Sequence, residues 1–138
     1  MIERTLSIIK PGAVKRNASG PILKMFGEAG FRFSGMKMLQ MDKAKAEGFY
    51  SEHKGKGFFD ELVEFMTSGP VVLIALEKEN AVKEYRTLIG DTNPANAAEG
   101  TVRKMFAVSM TDNGVHGSDS PENGIKEINY FFNENELF

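Results

Sequence analysis

The sequence predicts an α+β fold: a ferredoxin-like βαββαβ sandwich, with an antiparallel four-stranded sheet and added helices. Three observations predict it. Apolar residues alternate between period-2 and period-3.6 patterns in the order strand, helix, strand, helices, strand, helix, strand, helix. The stretch "VVLIAL" is apolar on both faces, as an interior strand requires. Glycine or proline stands at most changes of pattern. The 138 residues suit one domain over 1–138, with no internal repeat, low-complexity tract or linker.

The elements follow in order. Thr5 to Ile9 reads as a strand, stopped by Lys10-Pro11-Gly12. Gly20-Pro21 opens a helix, with proline at the first helical position. Ile22, Met25, Phe26 and Ala29 form its apolar stripe, and Gly30 ends it. Phe31 to Met41 alternates like a strand and changes phase at Ser34-Gly35, which predicts a bulge. Asp42 caps a short helix through Tyr50, and "EHKGKG" is a loop. Phe59, Leu62, Val63 and Met66 mark another helix, closed by Gly69-Pro70. Val71 to Leu76 is the central strand. Val82, Tyr85 and Ile89 mark a further helix, ended by Gly90. Asp91 to Gly114 is irregular, with one helical turn around Thr101 to Phe106. A short strand carries Val115 and His116. Ser120-Pro121-Glu122 starts the last helix, with Ile125, Ile128 and Phe132 facing the core.

Composition narrows the function. Hydrophobic residues make up 41% and charged residues 26%, the balance of a soluble globular chain. A net charge of −2 argues against dedicated nucleic-acid binding but leaves room for a local basic pocket. Without cysteine there is no disulfide, thiolate nucleophile or cysteine-ligated zinc. The first residues, "MIERTLSIIKPG", do not read as a signal peptide. No stretch approaches the ~20 apolar residues of a membrane span. A cytoplasmic location is expected. Asn17-Ala18-Ser19 matches the glycosylation pattern, and without secretion it has no consequence.

No Walker-type phosphate loop, G-x-G-x-x-G, H-E-x-x-H or EF-hand loop is present. His116, in "NGVHGSDS", has two readings. It is either a strand-end histidine with a satisfied ring or a nucleophile. A neutral imidazole has a free lone pair and needs no separate base to attack phosphorus. Gly114 and Gly117 would let a bulky group approach it. Glu127, Asn123 and Ser120 share one face of the last helix, and helical side chains lean toward the N-terminus. Glu127 is therefore placed either to orient the imidazole or to lie on a solvated acidic face. Lys10, Arg86 and Arg103 each read singly as surface charge. Together with His116 they would suit a polyphosphate, because arginine forks phosphate oxygens. Phe58 lies off its helix's apolar stripe, either as ordinary packing or as a ring on which a base stacks.

The segments "ERTLSIIKPGAV", "GFYSEHKGKGFFDELVEFMTSGPVV", "DTNPANAAEGTVR", "NGVHGSDS" and "EINYFF" occur in the order found in nucleoside diphosphate kinases. The chain resembles that family along essentially its whole length, most specifically through N-x-x-H-G-S-D-S. The resemblance implies ping-pong transfer of the γ-phosphate of a nucleoside triphosphate, typically ATP, to a nucleoside diphosphate. His116 would be the phosphate acceptor, with Glu127 holding its ring and Ser118 in the surrounding hydrogen-bond network. Lys10 would contact the phosphates and a sugar hydroxyl. Arg86, Thr92 and Arg103 would hold the polyphosphate, with Mg²⁺ carried in by the nucleotide and no metal site on the protein. Asn113 would bind sugar hydroxyls, Phe58 would stack on the base, and Tyr50 would support Lys10 and the histidine from behind. The family also implies a homo-oligomer, tetramer or hexamer, built from dimers, with Pro94 in a loop between subunits.

Several positions depart from the usual pattern of the family. Gly12 stands where Asp or Asn is common, which predicts a looser turn. Gly57 replaces a proline before the two phenylalanines. Lys104-Met105 follow Arg103 where Gly-Asp is typical, and Met110 occupies the slot facing the base opposite Phe58. His53 is expected in the loop beside the site, without direct chemistry. Asp119 is expected to help start the last helix. The competing function is a catalytically silent nucleotide-binding or regulatory module. Nucleic-acid binding by the sheet is disfavoured, since the aromatic strand motif of RNA-recognition modules is missing.

Overall fold

A computed structural model describes residues 2–138 of the chain. Its sheet contains β1 (Ile2–Ile9), β2 (Arg32–Leu39), β3 (Val71–Glu79) and β4 (Val115–Gly117). The spatial order is β2-β3-β1-β4, and every neighbouring pair is antiparallel. This is the expected ferredoxin-like order. The helices are α1 (Pro11–Lys15), α2 (Ser19–Glu28), α3 (Lys43–Phe49), α4 (Phe59–Met66), α5 (Ala81–Ile89), α6 (Val102–Phe106) and α7 (Pro121–Phe131). Among the described residues, no helix is long and apolar enough to cross a membrane.

Helices cover both faces of the sheet, and β3 shows how. Val71, Leu73 and Ala75 pack with Ala46 of α3, Phe59 and Val63 of α4, and Ile128 of α7. Val72, Ile74 and Leu76 pack with Ile22 and Phe26 of α2 and Tyr85 of α5. The period-2 alternation of a strand thus feeds two cores at once. The phase change in β2 is a register shift between Phe33 and Gly35, as the broken alternation predicts. Asp42 caps α3 by accepting from Lys45 N at 2.7 Å.

Three local expectations are corrected. Lys10-Pro11-Gly12 does not simply stop the first strand: the chain turns directly into α1, with Pro11 at its first position, where a missing N–H costs nothing. Pro21 is the third residue of α2, which begins at Ser19. Ile125 does not face the core; it is 59% exposed. The buried face of α7 is Gly124, Ile128 and Phe131. Gly124 explains the shift, because a Cβ there would run into the carbonyl oxygen of Arg4. The helix crosses β1 on its glycine, and Ile125 is turned outward.

β4 sets the site. Its register pairs Ile8 with His116 and Ser7 with Gly117. Gly117 therefore faces the Tyr85 side, and its absent side chain is filled by the Tyr85 ring and Ile89. The glycine does not clear room for a ligand; it lets the strand lie on the core. Gly114, with φ +86°, is required by its backbone conformation. Gly117→Ala would bring a methyl within 2.8 Å of Tyr85 Cε2. Such overpacking is expected to cost about 1–3 kcal/mol in chemical denaturation. An unchanged midpoint would mean that the ring yields freely.

Candidate active site

The centre of the site is a relay that begins in the sheet. Leu6 N–H of β1 donates to Ser118 Oγ at 3.0 Å. Ser118, fully buried, donates to Glu127 Oε1 at 2.8 Å. The same oxygen lies 2.8 Å from His116 Nε2. A carboxylate only accepts, so Nε2 carries the ring proton and donates it. Nδ1 then holds the lone pair, and it has no hydrogen-bond partner among the described residues. The imidazole is thus fixed in one tautomer with its nucleophilic nitrogen free. Ser120 N-caps α7 by accepting from Asn123 N at 3.1 Å, which sets the helix that delivers Glu127. The His116 carbonyl accepts from Tyr85 OH at 3.2 Å, so the backbone is held as well as the ring.

Lys10 and Arg103 are both buried beside β4. Lys10 N–H donates to the Gly114 carbonyl at 2.9 Å. Arg103 is not an open fork. Its Nε, Nη1 and Nη2 donate to the carbonyls of Asn113, Gly90 and Val115 at 3.3, 3.0 and 2.8 Å. Burial lowers its pKa, and the nearby Arg86 charge adds to the effect. Arg86, Thr92 and Arg103 line one open cleft of about 440 Å³. Asn113 is 3% exposed, and its side-chain Oδ1 has no partner among the described residues. A buried orphan acceptor is costly and marks a place for a donor to arrive.

Burial, followed by repulsion from Arg103, pulls the Lys10 ammonium from 10.5 down to about 7, with Asp112 opposing. This value lies below that of the unfolded chain. Between about pH 7 and 10.5 the unfolded chain therefore binds more protons, and stability should rise with pH. The penalty for burying the charge is fully present below pH 7. Burial raises the Tyr50 and Tyr85 phenols, which reverses the trend once unfolded tyrosines ionise near pH 10. Urea denaturation from pH 7 to 9.5 should show the rise, and Lys10→Met should flatten it. A Lys10→Met slope equal to the parent's would remove Lys10 as its source.

The aromatic members of the expected site lie on α3, α4 and the loop between them. Phe58 is 49% exposed at the start of α4, with its ring 5.3 Å from His53. The loop position of His53 is as expected. Tyr50 is buried, and its hydroxyl has no partner among the described residues; the negative charge of Glu127 helps to raise it. The ring that lies directly against His116 is the preceding residue, Phe49, at 5.3 Å and 72°. Sequence reasoning missed it, because nothing in the α3 pattern separates Phe49 from Tyr50. Gly12 does not loosen its turn. The carboxylate of Asp112 fills the space of the absent side chain and is held by Arg16 at 2.7 Å.

A tautomer-locked imidazole on β4, with buried Lys10 and Arg103 flanking the strand on a ferredoxin-like sheet, suits the class of phosphotransferases. The nucleoside diphosphate kinase family model matches residues 3–137. A nucleoside diphosphate kinase of Pasteurella multocida is 60% identical over 99% of both chains. One from Nitratidesulfovibrio vulgaris is 56% identical over 99% of both. The Aquifex aeolicus nucleoside diphosphate kinase structure superposes with a TM-score of 0.98, at 42% identity and full coverage of both chains. That of Halobacterium salinarum, solved in complex with CDP, gives 0.96 at 36% identity, covering 100% of this chain and 92% of the other. The chain belongs to the nucleoside diphosphate kinase family.

Proposed function

We propose that this chain, acting as a single catalytic domain, moves the γ-phosphate of a nucleoside triphosphate to a nucleoside diphosphate through phospho-His116. The observation that carries this reading is the His116–Glu127 contact at 2.8 Å, which leaves Nδ1 free. In the first half-reaction the Nδ1 lone pair attacks the γ-phosphorus. The bond from phosphorus to the β,γ-bridging oxygen breaks, and its electron pair leaves on the nucleoside diphosphate. The imidazole becomes cationic, and Glu127 stabilises it through the Nε2–H it already holds. In the second half-reaction a terminal oxygen of another nucleoside diphosphate attacks the same phosphorus, and the Nδ1–P electron pair returns to the ring.

The remaining residues position the nucleotide. Lys10, Arg86, Thr92 and Arg103 take the polyphosphate. The orphaned Asn113 Oδ1 accepts from a sugar hydroxyl. Phe58, and Met110 at 60% exposure, bracket the base. Tyr50 backs Lys10 and the histidine without a hydrogen bond of its own. Mg²⁺ enters with the nucleotide. Among the described residues, no group of three His, Cys, Asp or Glu is arranged to hold a metal. The working assembly is a homo-oligomer, a tetramer or hexamer built from dimers, in the cytoplasm. Strand β2, which stands at the sheet edge with Met36 and Met38 exposed, supplies the dimer edge.

The test uses γ-labelled ATP and magnesium with no acceptor. Acid-labile label on His116 should appear, then move to an added second nucleoside diphosphate. ATP binding without label would favour the silent module and end the enzyme reading.

A further inference from the structure

The Glu127 hydrogen bond pins one corner of the His116 ring, and a ring held at one corner can still swing. The second contact is Phe49, at the end of α3, with its ring 5.3 Å from the imidazole at 72°. Phe49 is itself braced by Tyr50 at 4.9 Å and Phe131 at 5.0 Å. Tyr130 closes a third side at 5.9 Å, tied back to α3 by its hydroxyl on the Lys45 carbonyl at 2.8 Å. Such edge-on aromatic packing fixes orientation as well as burying area.

Behind this ring lies a small cavity of about 120 Å³ between α3 and α7. Phe49, Glu127 and Tyr130 line it together with Ser51, Asn123 and Lys126. Its lining mixes polar and apolar groups, and it has room for a few waters at about 30 Å³ each. His116 touches Phe49 and Glu127 but does not line the cavity. Phe49 and Glu127 therefore stand together between this space and the ring.

We propose that Phe49 is a positioning residue: it sets the angle of the His116 ring for in-line transfer and keeps water in the α3–α7 cavity from the phosphorylated imidazole. This rests on the reading of His116 as phosphate acceptor. The suppressed side reaction is hydrolysis. Water oxygen bonds to phosphorus, the Nδ1–P bond breaks with its pair returning to Nδ1, and inorganic phosphate leaves with the proton released to solvent. Excluding water is a recognised means of protecting a reactive intermediate.

The test compares the parent with Phe49→Leu and Phe49→Tyr in single-turnover labelling from γ-labelled ATP over a range of concentrations. In Phe49→Leu the maximal labelling rate should fall about tenfold, while the half-saturating ATP concentration stays within about twofold. Isolated phosphoenzyme should lose label to water several times faster than the parent. Phe49→Tyr should restore both, because it restores the ring. If Phe49→Leu does not fold, Phe49→Met carries the same comparison with a similar volume. Parental rates of labelling and hydrolysis in Phe49→Leu would overturn the proposal, as would equal losses in the leucine and tyrosine variants. A parent that takes no label would instead end the His116 reading, and this inference with it.

Discussion

His116→Ala should lower phosphate exchange by at least about 10⁴-fold, the scale seen when a covalent nucleophile is removed. The variant has no lone pair to accept the phosphoryl group, and no other described residue presents one in the same place. Glu127 is acceptor-only when ionised, and Ser118 Oγ is already engaged with Leu6 N and Glu127. Nucleotide binding should weaken by less than about tenfold if, as proposed, Lys10, Arg86 and Arg103 supply the phosphate-facing charge independently of the ring. The fold should survive: the His116 ring meets only Phe49 and Glu127 among the contacts described above, and the Tyr85 bond goes to its backbone carbonyl. Two measurements check this, steady-state exchange between ATP and a second nucleoside diphosphate, and calorimetric titration with a non-transferable triphosphate analogue. Exchange retained above the level of contaminating enzyme would sink the phosphohistidine mechanism. Lost exchange together with lost binding would move His116 from chemistry to recognition.

Periodicity makes one part of this site legible in the sequence, the placing of Glu127, while the wider set of residues follows only from the family resemblance. Placing Glu127, Asn123 and Ser120 on one face of a helix that starts at Ser120 requires only the 3.6-residue repeat. Of that face Glu127 reaches His116, at 2.8 Å, while Ser120 caps the helix. What periodicity could not supply was rotation by packing. The pattern puts apolar Ile125 inward, yet Gly124 meets β1 and turns Ile125 into solvent. By pattern, both glycines of "NGVHGSDS" read as openings. Gly114 answers a backbone demand, and Gly117 answers the Tyr85 ring from 32 residues earlier in the chain. No local pattern announces a contact at that separation.

The fold was legible for the same reason. Strand and helix identities follow from alternation and stripes, and the double-sided strand 71–76 had to lie inside the sheet. Its neighbours are β2 and β1, which leaves β2 and β4 at the edges. The exception is α1, five residues long and too short to carry a stripe. Its proline reads as a stop from one side and as a first helical residue from the other. The Gly12 departure shows a further limit. Its meaning depends on Asp112, one hundred residues away, whose carboxylate fills the space and whose partner is Arg16.

Arg103→Ala should be the most destabilising single change at the site. The guanidinium joins the Gly90 carbonyl at the end of α5 to the Asn113 and Val115 carbonyls that lead into β4. Truncation takes the guanidinium from the Gly90 and Val115 carbonyls, at about 1–3 kcal/mol for each that stays buried, partly offset where water enters, while the Asn113 carbonyl keeps the Val115 N–H at 3.1 Å. It also removes a buried cation, which is a relief, because desolvation already lowers the pKa of Arg103. The stranded acceptors should win, since the carbonyls are what make burial of the charge tolerable. A net loss of roughly 3 kcal/mol is expected, or about 10 °C in midpoint for a domain of this size. Arg103→Lys discriminates between charge and geometry. One ammonium restores the cation but cannot reach three diverging carbonyls, so it should recover little stability. Arg103→Ala should also raise the Lys10 pKa, because repulsion from Arg103 is the second cause of its depression. The rise of stability with pH should then begin later than about pH 7. An Arg103→Lys midpoint within about 2 °C of the parent would show that charge alone is enough. The three-carbonyl fork would then lose its role as the brace of β4.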